Sequence, residues 1–269
     1  MTFLQIIVLA IVQGITEFLP ISSSGHLILV PYLTDWPDQG IMMDVGVHVG
    51  TLGAVMLYFR RDVGRMIVAF FQMLTFAKEY NSSERHLMLM LILSTIPIVI
   101  FGAAASSLGL TDAWRTIEII GWTSIIFGIA LYWFDTKCDV KLDLSKLCFG
   151  HALIIGFAQV LAIIPGTSRS GVTMTAARAL GFSRTDAARF SMLMSIPTIL
   201  AAAILQIADL LGEQTLTIGT DLLLGAFLSF IAALVAIAGL LKWLARASMT
   251  PFVIYRILLG IGLLIMVYR

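Results

Sequence analysis

Apolar residues run through this chain in long blocks rather than in alternation with polar ones. Six blocks reach the ~20 residues that a transmembrane helix needs: about 41–60, 86–106, 114–134, 187–208, 219–242 and 251–268. Two further apolar regions are interrupted. Residues 3–19 run into Pro20 and the polar cluster Ser22-Ser23-Ser24-Gly25-His26, after which 27–33 is apolar again. Residues 148–164 run into Pro165-Gly166-Thr167-Ser168-Arg169-Ser170-Gly171, and a short helical pattern follows to about Leu180. Each reads as two half-helices around a polar break. Irregular backbone at membrane depth is tolerated only where protein buries it or where it lines a cavity. Both regions are therefore expected to be re-entrant. The expected fold is an all-α integral membrane protein, six transmembrane helices plus two re-entrant helix hairpins, in a single membrane domain.

Composition agrees. The chain is 59% hydrophobic and 12% charged, with a mean hydropathy of +0.98, against roughly 25% charged residues in a soluble domain. That excludes a soluble globular enzyme and equally a disordered or fibrous chain. A net charge of +1 offers no basic patch for nucleic acid. Cys138 and Cys148 are too few for a disulfide framework and lack zinc spacing. Residues 3–19 make a poor signal peptide, with no Lys or Arg at their start and with Gln13 and Glu17 inside.

The basic residues orient the chain. Arg60, Arg61, Arg65, Lys78 and Arg85 share one loop, and Lys137, Lys141 and Lys146 the next loop on that side. Arg178, Arg184 and Arg189 flank the end of the second hairpin, and Lys242 and Arg246 precede the last span. That is 13 on one side against Arg115 and Arg269 on the other, where Asp35, Asp38, Asp112, Asp209 and Glu213 collect. The bias emerges only if each hairpin returns to the side it entered. It puts both termini outside, with the first hairpin entering from outside and the second from the cytoplasm. This is the geometry of an inverted repeat, about 1–134 and 148–269. Glu17-Phe-Leu-Pro20-Ile-Ser-Ser23 echoes Ala162-Ile-Ile-Pro165-Gly-Thr-Ser168, and Ile92-Leu-Ser-Thr-Ile-Pro97 echoes Met192-Leu-Met-Ser-Ile-Pro197. Such repeats place a site near the bilayer midplane, where broken helices meet.

Ionisable residues inside a bilayer are costly and mark function by default. Here they are Glu17, His26, Asp44, His48, Arg169 and Arg256. In the second break Thr167, Ser168, Ser170 and Thr173 offer hydroxyls, Arg169 a planar fork, and the following helix its unpaired N–H groups. The set suits a phosphate; the plainer reading is a capped helix whose Arg pairs with Glu17. In the first break Gln13 and Glu17 lie four apart on one face, and can hold Mg²⁺ or Ca²⁺ jointly with phosphate oxygens. His26 can serve as general acid–base or nucleophile, or simply pack between helices. Asp44 and His48 shape the pocket mouth or form a polar i,i+4 pair. Arg256 is expected to brace helices or pair with a carboxylate. No P-loop, no lipase elbow and no H-E-x-x-H zinc spacing is present.

Two motifs carry a resemblance. Gln13-Gly-Ile-Thr-Glu17-Phe-Leu-Pro-Ile-Ser-Ser-Ser-Gly-His26 resembles the (E/Q)xxxE region of the undecaprenyl-diphosphate phosphatases, the bacitracin-resistance family. Pro165-Gly-Thr-Ser-Arg-Ser-Gly-Val-Thr173 resembles that family's PGxSRSxxT motif. Tyr58-Phe-Arg-Arg61, Phe190-Ser191 through Pro197 and Pro251-Phe-Val-Ile-Tyr-Arg256 extend the likeness over essentially the whole chain. Many members have Glu where this chain has Gln13, which removes one carboxylate from a metal site. The resemblance implies hydrolysis of undecaprenyl diphosphate to the monophosphate at the outer face of the bacterial inner membrane. That reaction recycles the lipid carrier of peptidoglycan synthesis, depends on Mg²⁺ or Ca²⁺ and confers bacitracin resistance. It implies an active-site set of Glu17, Ser23, His26, Ser168, Arg169 and Thr173, with Gln13 beside Glu17 on the metal. The expected partners are a polyprenyl diphosphate lipid and membrane lipids, with a homodimer as a candidate assembly.

Two rivals stand beside this reading. Ser24-Gly25-His26 and Ser168-Arg169 are fragments of a second lipid phosphatase signature, whose K-x₆-R-P element and second His are missing here. A transporter or flippase of a polyprenyl phosphate would use the same broken helices and phosphate cradle, yet needs no metal and releases no phosphate.

Overall fold

The computed structural model describes residues 1–75, 82–212 and 219–269. Among them no β-strand forms; Leu142 and Phe182 make an isolated bridge. Six helices are long and apolar enough to cross a membrane. They are α3 (Gly40–Tyr58), α5 (Ser82–Ser107), α7 (Ile117–Lys137), α10 (Arg184–Gly212), α11 (Thr220–Leu244) and α12 (Thr250–Tyr268). They fall on the six expected blocks. α7 is shifted along the chain as a whole, starting three residues later than the hydropathy block because the Thr116 hydroxyl accepts a hydrogen bond from Ile119 N–H and caps it there. Lys78 and Glu213, counted in the charge bias, lie outside the described residues.

The interrupted regions form helix–turn–helix pairs. The first is α1 (Phe3–Thr16) and α2 (Ser23–Thr34); the second is α8 (Phe149–Val160), a 3₁₀ turn at Leu161–Ile163, and α9 (Arg169–Ala179). At 1.5 Å per residue α1 and α8 are about 21 and 18 Å long, well short of the ~30 Å hydrocarbon core. The turns break in the same way. Ser22 (φ 74°) and Ser168 (φ 70°) both stand in the left-handed half of backbone space, and each hydroxyl accepts from the N–H of the glycine three residues on, Gly25 or Gly171. The matching caps put Ser22 opposite Ser168, one residue off the sequence echo that paired Ser23 with Ser168. In this register Gln13 answers Gln159. Gly166 (φ 86°) lets the second turn press on α7: a Cβ there would lie 2.1 Å from Thr123 Oγ1.

Helix α1 packs against α11, and α8 against α5. Small residues make both contacts. A Cβ on Gly14 would fall 2.7 Å from the Ser229 carbonyl oxygen, and one on Gly156 2.6 Å from that of Ser94. α3 also packs on α11, and α12 on α7.

One helix stands where the sequence suggested only a basic loop: α4 (Arg60–Leu74). Its first turns carry Arg60, Arg61, Asp62 and Arg65, and its second half Ile67, Val68, Phe70 and Phe71. It is too polar for a span but amphipathic, a pattern that a search for long apolar blocks passes over. Arg189 at the start of α10 pairs with its Asp62 at 2.7 Å. The four-residue α6 (Leu110–Ala113) lies between α5 and α7.

Candidate active site

Glu17, at the end of α1, is the hub where the two breaks meet. Its carboxylate is 5% exposed. Oε2 accepts from Gln13 Nε2 at 2.9 Å and from Ser23 Oγ at 2.7 Å, while Oε1 accepts from Arg169 Nη2 at 3.0 Å. Gln13 reaches it because four residues make one helical turn. Ser23 reaches it because the break folds α2 back beside α1. Arg169 comes from 152 residues away, at the first position of α9. The pairing named above as the plainer reading of Arg169 is thus present, and it sits inside the cradle.

Arg169 is fixed at its other nitrogen as well, since Nη1 donates to Ser191 O at 3.0 Å. Glu17, Ser22, Ser23, Ser24, His48, Ser168 and Arg169 wall one side of a cavity of about 190 Å³. Val45, Ala162, Ile199, Ala202 and Ala203 line the rest, with Thr198 and Gln206. A pocket lined by both polar and apolar side chains suits an amphiphile with an anionic head. A larger cavity, about 630 Å³, lies among Ser83, His86, Lys146 and Arg189, and shares no residue with this one.

Of the five residues expected to cradle phosphate, Ser168 and Arg169 line the cavity. Thr167, Ser170 and Thr173 are buried behind it. Ser170 Oγ donates to Leu19 O at 2.7 Å and so joins the second break to the first. Thr173 Oγ1 lies 2.8 Å from Arg169 O and 2.7 Å from Ser191 Oγ. Ser191 had appeared in the sequence only as a family match, with no role. Its link to Arg169 and Thr173 comes from α10 packing on α9, which no local pattern signals.

His26 also stands off the cavity. Its Nδ1–H donates to Ser22 O at 2.6 Å, so Nε2 accepts the phenol proton of Tyr255 at 2.5 Å, and the two rings stack. His48 takes a place in the cavity wall instead. Its Nδ1–H donates to Asp44 O at 2.7 Å, leaving Nε2 3.7 Å from Glu17 Oε2. The polar pair with the Asp44 carboxylate does not form; that group accepts from Gln39 Nε2.

Arg256 braces. Fully buried, it donates to Gly166 O (3.0 Å) and Thr167 O (2.9 Å) of one break, to Pro20 O (3.3 Å) of the other, and to Thr123 O and Ser124 O of α7. Five carbonyls rather than a carboxylate hold its charge, so both breaks owe their backbone course to one side chain of α12. A second such node was missed. Asp135 at the end of α7 accepts from Arg184 Nε at 2.7 Å and from Met249 N–H at 3.0 Å, with Arg178 Nε 3.4 Å away. Arg178 and Arg184 had been read only as charges flanking the end of the second hairpin. The isolated Asp135 gave no reason to expect that they converge and tether the far end of α9.

Among the described residues no three His, Cys, Asp or Glu side chains group to hold a metal ion. The donor set still fits a divalent cation completed by phosphate oxygens. Gln13 is fully buried, and its Oε1 has no hydrogen-bond partner. A buried carbonyl oxygen without a partner costs free energy, and a half-turn of the amide would exchange it with the nitrogen now 2.9 Å from Glu17 Oε2.

Fold and site together define a polytopic helical membrane protein with a buried acid–arginine centre built from two broken helix pairs. The family is settled by comparison: residues 6–262 match the model of the bacitracin resistance protein BacA family, and the chain belongs to it. It is 47% identical over 268 residues to a protein of Jannaschia sp. (strain CCS1), and 48% identical over 269 residues to one of Ruegeria pomeroyi, with both chains fully covered in each case. It is 48% identical to one of Magnetococcus marinus across 94% of this chain and 95% of that one. All three relatives are named undecaprenyl-diphosphatase.

Proposed function

We propose that this protein hydrolyses undecaprenyl diphosphate to undecaprenyl phosphate and inorganic phosphate at the outer face of the bacterial inner membrane. The reaction recycles the peptidoglycan carrier lipid and withdraws the diphosphate that bacitracin sequesters. The observation that carries the reading is the Glu17–Arg169 pair, set in a cavity with a hydroxyl-rich wall and an apolar one. The names of the full-length relatives agree with it.

Arg169 turns its planar fork from Glu17 to two oxygens of the terminal phosphate, and Ser168 and the amino end of α9 supply further donors. Glu17 and Gln13 would hold Mg²⁺ or Ca²⁺. When bound, the cation neutralises charge on the two phosphates. A water beside Ser23 attacks the terminal phosphorus, or Ser23 Oγ attacks first and water then hydrolyses the phosphoserine. The bridging P–O bond breaks, undecaprenyl phosphate leaves, and the proton of the attacking hydroxyl passes to Glu17, which already accepts from Ser23 Oγ. His26 serves as acid–base group or nucleophile only after its ring releases Tyr255. Thr167, Ser170 and Thr173 keep the turn in shape, and the prenyl chain leaves along the α10 wall. Positioning and charge neutralisation supply most of phosphoryl-transfer catalysis.

The two helix–turn–helix pairs act as re-entrant hairpins in an inverted repeat of about 1–134 and 148–269. The matching serine caps and the crossed packing of α1 on α11 and α8 on α5 support this. With the 13-to-2 charge bias, both termini and the cavity then face outward. Cys148, exposed at the start of α8, tests the orientation. A membrane-impermeant maleimide should leave it unlabelled in spheroplasts and label it after lysis; labelling before lysis would reverse the topology.

The deciding experiment is phosphate release from a long-chain prenyl diphosphate by purified protein, with and without EDTA. Metal-dependent release is expected. Binding without release would favour the transporter reading.

A further inference from the structure

Two side chains of the Glu17 centre, Gln13 and His48, lie beside the same carboxylate oxygen. One is the buried amide of Gln13, whose Oε1 is unpaired and whose nitrogen lies 2.9 Å from Glu17 Oε2. The other is His48 Nε2, 3.7 Å from that oxygen in the wall of the cavity. The Nδ1–H of His48 is committed to Asp44 O, so in the neutral ring Nε2 carries the free lone pair, 3.7 Å from the carboxylate oxygen. A histidine that donates its other N–H to a backbone carbonyl is the usual arrangement of a metal-ligating imidazole, because that bond fixes tautomer and ring orientation. The spacing agrees. Bonds of roughly 2.1 Å at about 90–110° put two donors about 3.0–3.4 Å apart across one ion, and small side-chain adjustments cover the remainder. His26 offers no such nitrogen, since both of its ring atoms are engaged.

We infer that His48 Nε2 is a third protein donor, with Glu17 and Gln13, of the divalent-cation site. On that basis this chain binds a cation that accepts imidazole nitrogen, such as Mn²⁺, Co²⁺ or Zn²⁺, more tightly than Ca²⁺. The inference rests on the cation role proposed for Glu17 and Gln13 and goes beyond it. It replaces the carboxylate that Gln13 withholds by a neutral nitrogen from α3, a helix outside both breaks. Imidazole suits transition metals, while Ca²⁺ takes oxygen.

The test uses Mn²⁺ alone, added to the full chain in detergent, with pulsed EPR as the readout. Bound Mn²⁺ should show coupling to a ¹⁴N nucleus. His48→Gln should remove that coupling and weaken Mn²⁺ binding at least about tenfold, while Ca²⁺ binding by calorimetry moves by less than about threefold. His26→Gln, His86→Gln and His151→Gln, which replace the other three histidines, should each retain the coupling. They assign the nitrogen by elimination even if His48→Gln fails to fold. Absent Mn²⁺ binding, a nitrogen-free spectrum, or coupling lost on replacing a different histidine would overturn the inference. Phosphate release with Mg²⁺ is scored separately. Turnover with a nitrogen-free Mn²⁺ spectrum sinks this inference alone, and nitrogen coupling without turnover sinks the hydrolase reading alone.

Discussion

The two breaks share a backbone device and divide the chemistry. At each, a serine with positive φ caps the returning helix through the glycine three residues on, and its hydroxyl lies near that of the serine two residues on: 3.4 Å for Ser22 and Ser24, 3.2 Å for Ser168 and Ser170. Between those serines the first break has Ser23 and the second Arg169. One turn beyond the matched Gln13 and Gln159, the first has Glu17 and the second Ile163. A carboxylate and a guanidinium, each too costly to bury alone in a membrane, are thus contributed one per break and satisfied by meeting. Matching turns build an asymmetric centre, with the carboxylate on one helix pair and the guanidinium on the other.

The sharpest way to break this division is at Arg169. Arg169→Lys keeps a charge but loses the fork, and a donor aimed at the transition state is worth roughly 10²–10³ in kcat. A loss of at least that order is expected in steady-state phosphate release, and a larger one for Arg169→Ala. Near-normal turnover by a folded Arg169→Lys protein would reduce the second break to a generic charge.

Glu17→Gln tests the other half. The variant can still accept from Arg169 and Ser23 but withdraws the negative charge from the centre. We expect kcat to fall about 10²-fold or more, with a lower Tm because Arg169 loses its buried counter-charge. A lower Tm with turnover intact would leave Glu17 as a brace only.

The smallest effect sharpens the comparison of the scaffolds. A Cβ on Gly171 would stand 2.8 Å from Arg256 Nη1 and 3.1 Å from Ser168 Oγ, whereas one on Gly25 would meet Ile120 Cγ2 and Ser22 Oγ at 3.3 Å. Gly171→Ala should therefore lower the melting temperature by a few degrees and Gly25→Ala by less, since only the first presses on the buried brace. Equal melting curves would mean that Arg256 yields at no cost.

Much of this was legible in the chain. Apolar blocks of about twenty residues need no tertiary information to become spans, because a bilayer forces each backbone polar group to bond within its own helix. The breaks, with Glu17, Ser23, Ser168 and Arg169 in them, stood out because polar residues in hydrocarbon demand an explanation. Packing alone could divide the polar residues by task. Ser170 and Thr173 have the same hydroxyls as Ser23 and Ser168, and only the path of α9 past Leu19 and α10 turns them inward. In sequence His26 belongs to the active-site set and His48 only to the pocket mouth or a polar pair; α12 engages the first through Tyr255, and α3 delivers the second to the cavity. Arg256 looks like an isolated intramembrane charge, and Asp135 like a charge just past the end of a span, until segments more than 230 and 40 residues away bring their partners. Hydropathy and local capping act within a few residues, so the sequence determined the spans and the breaks. Which polar groups face the cavity depends on contacts between distant helices, and the tertiary structure alone decided it.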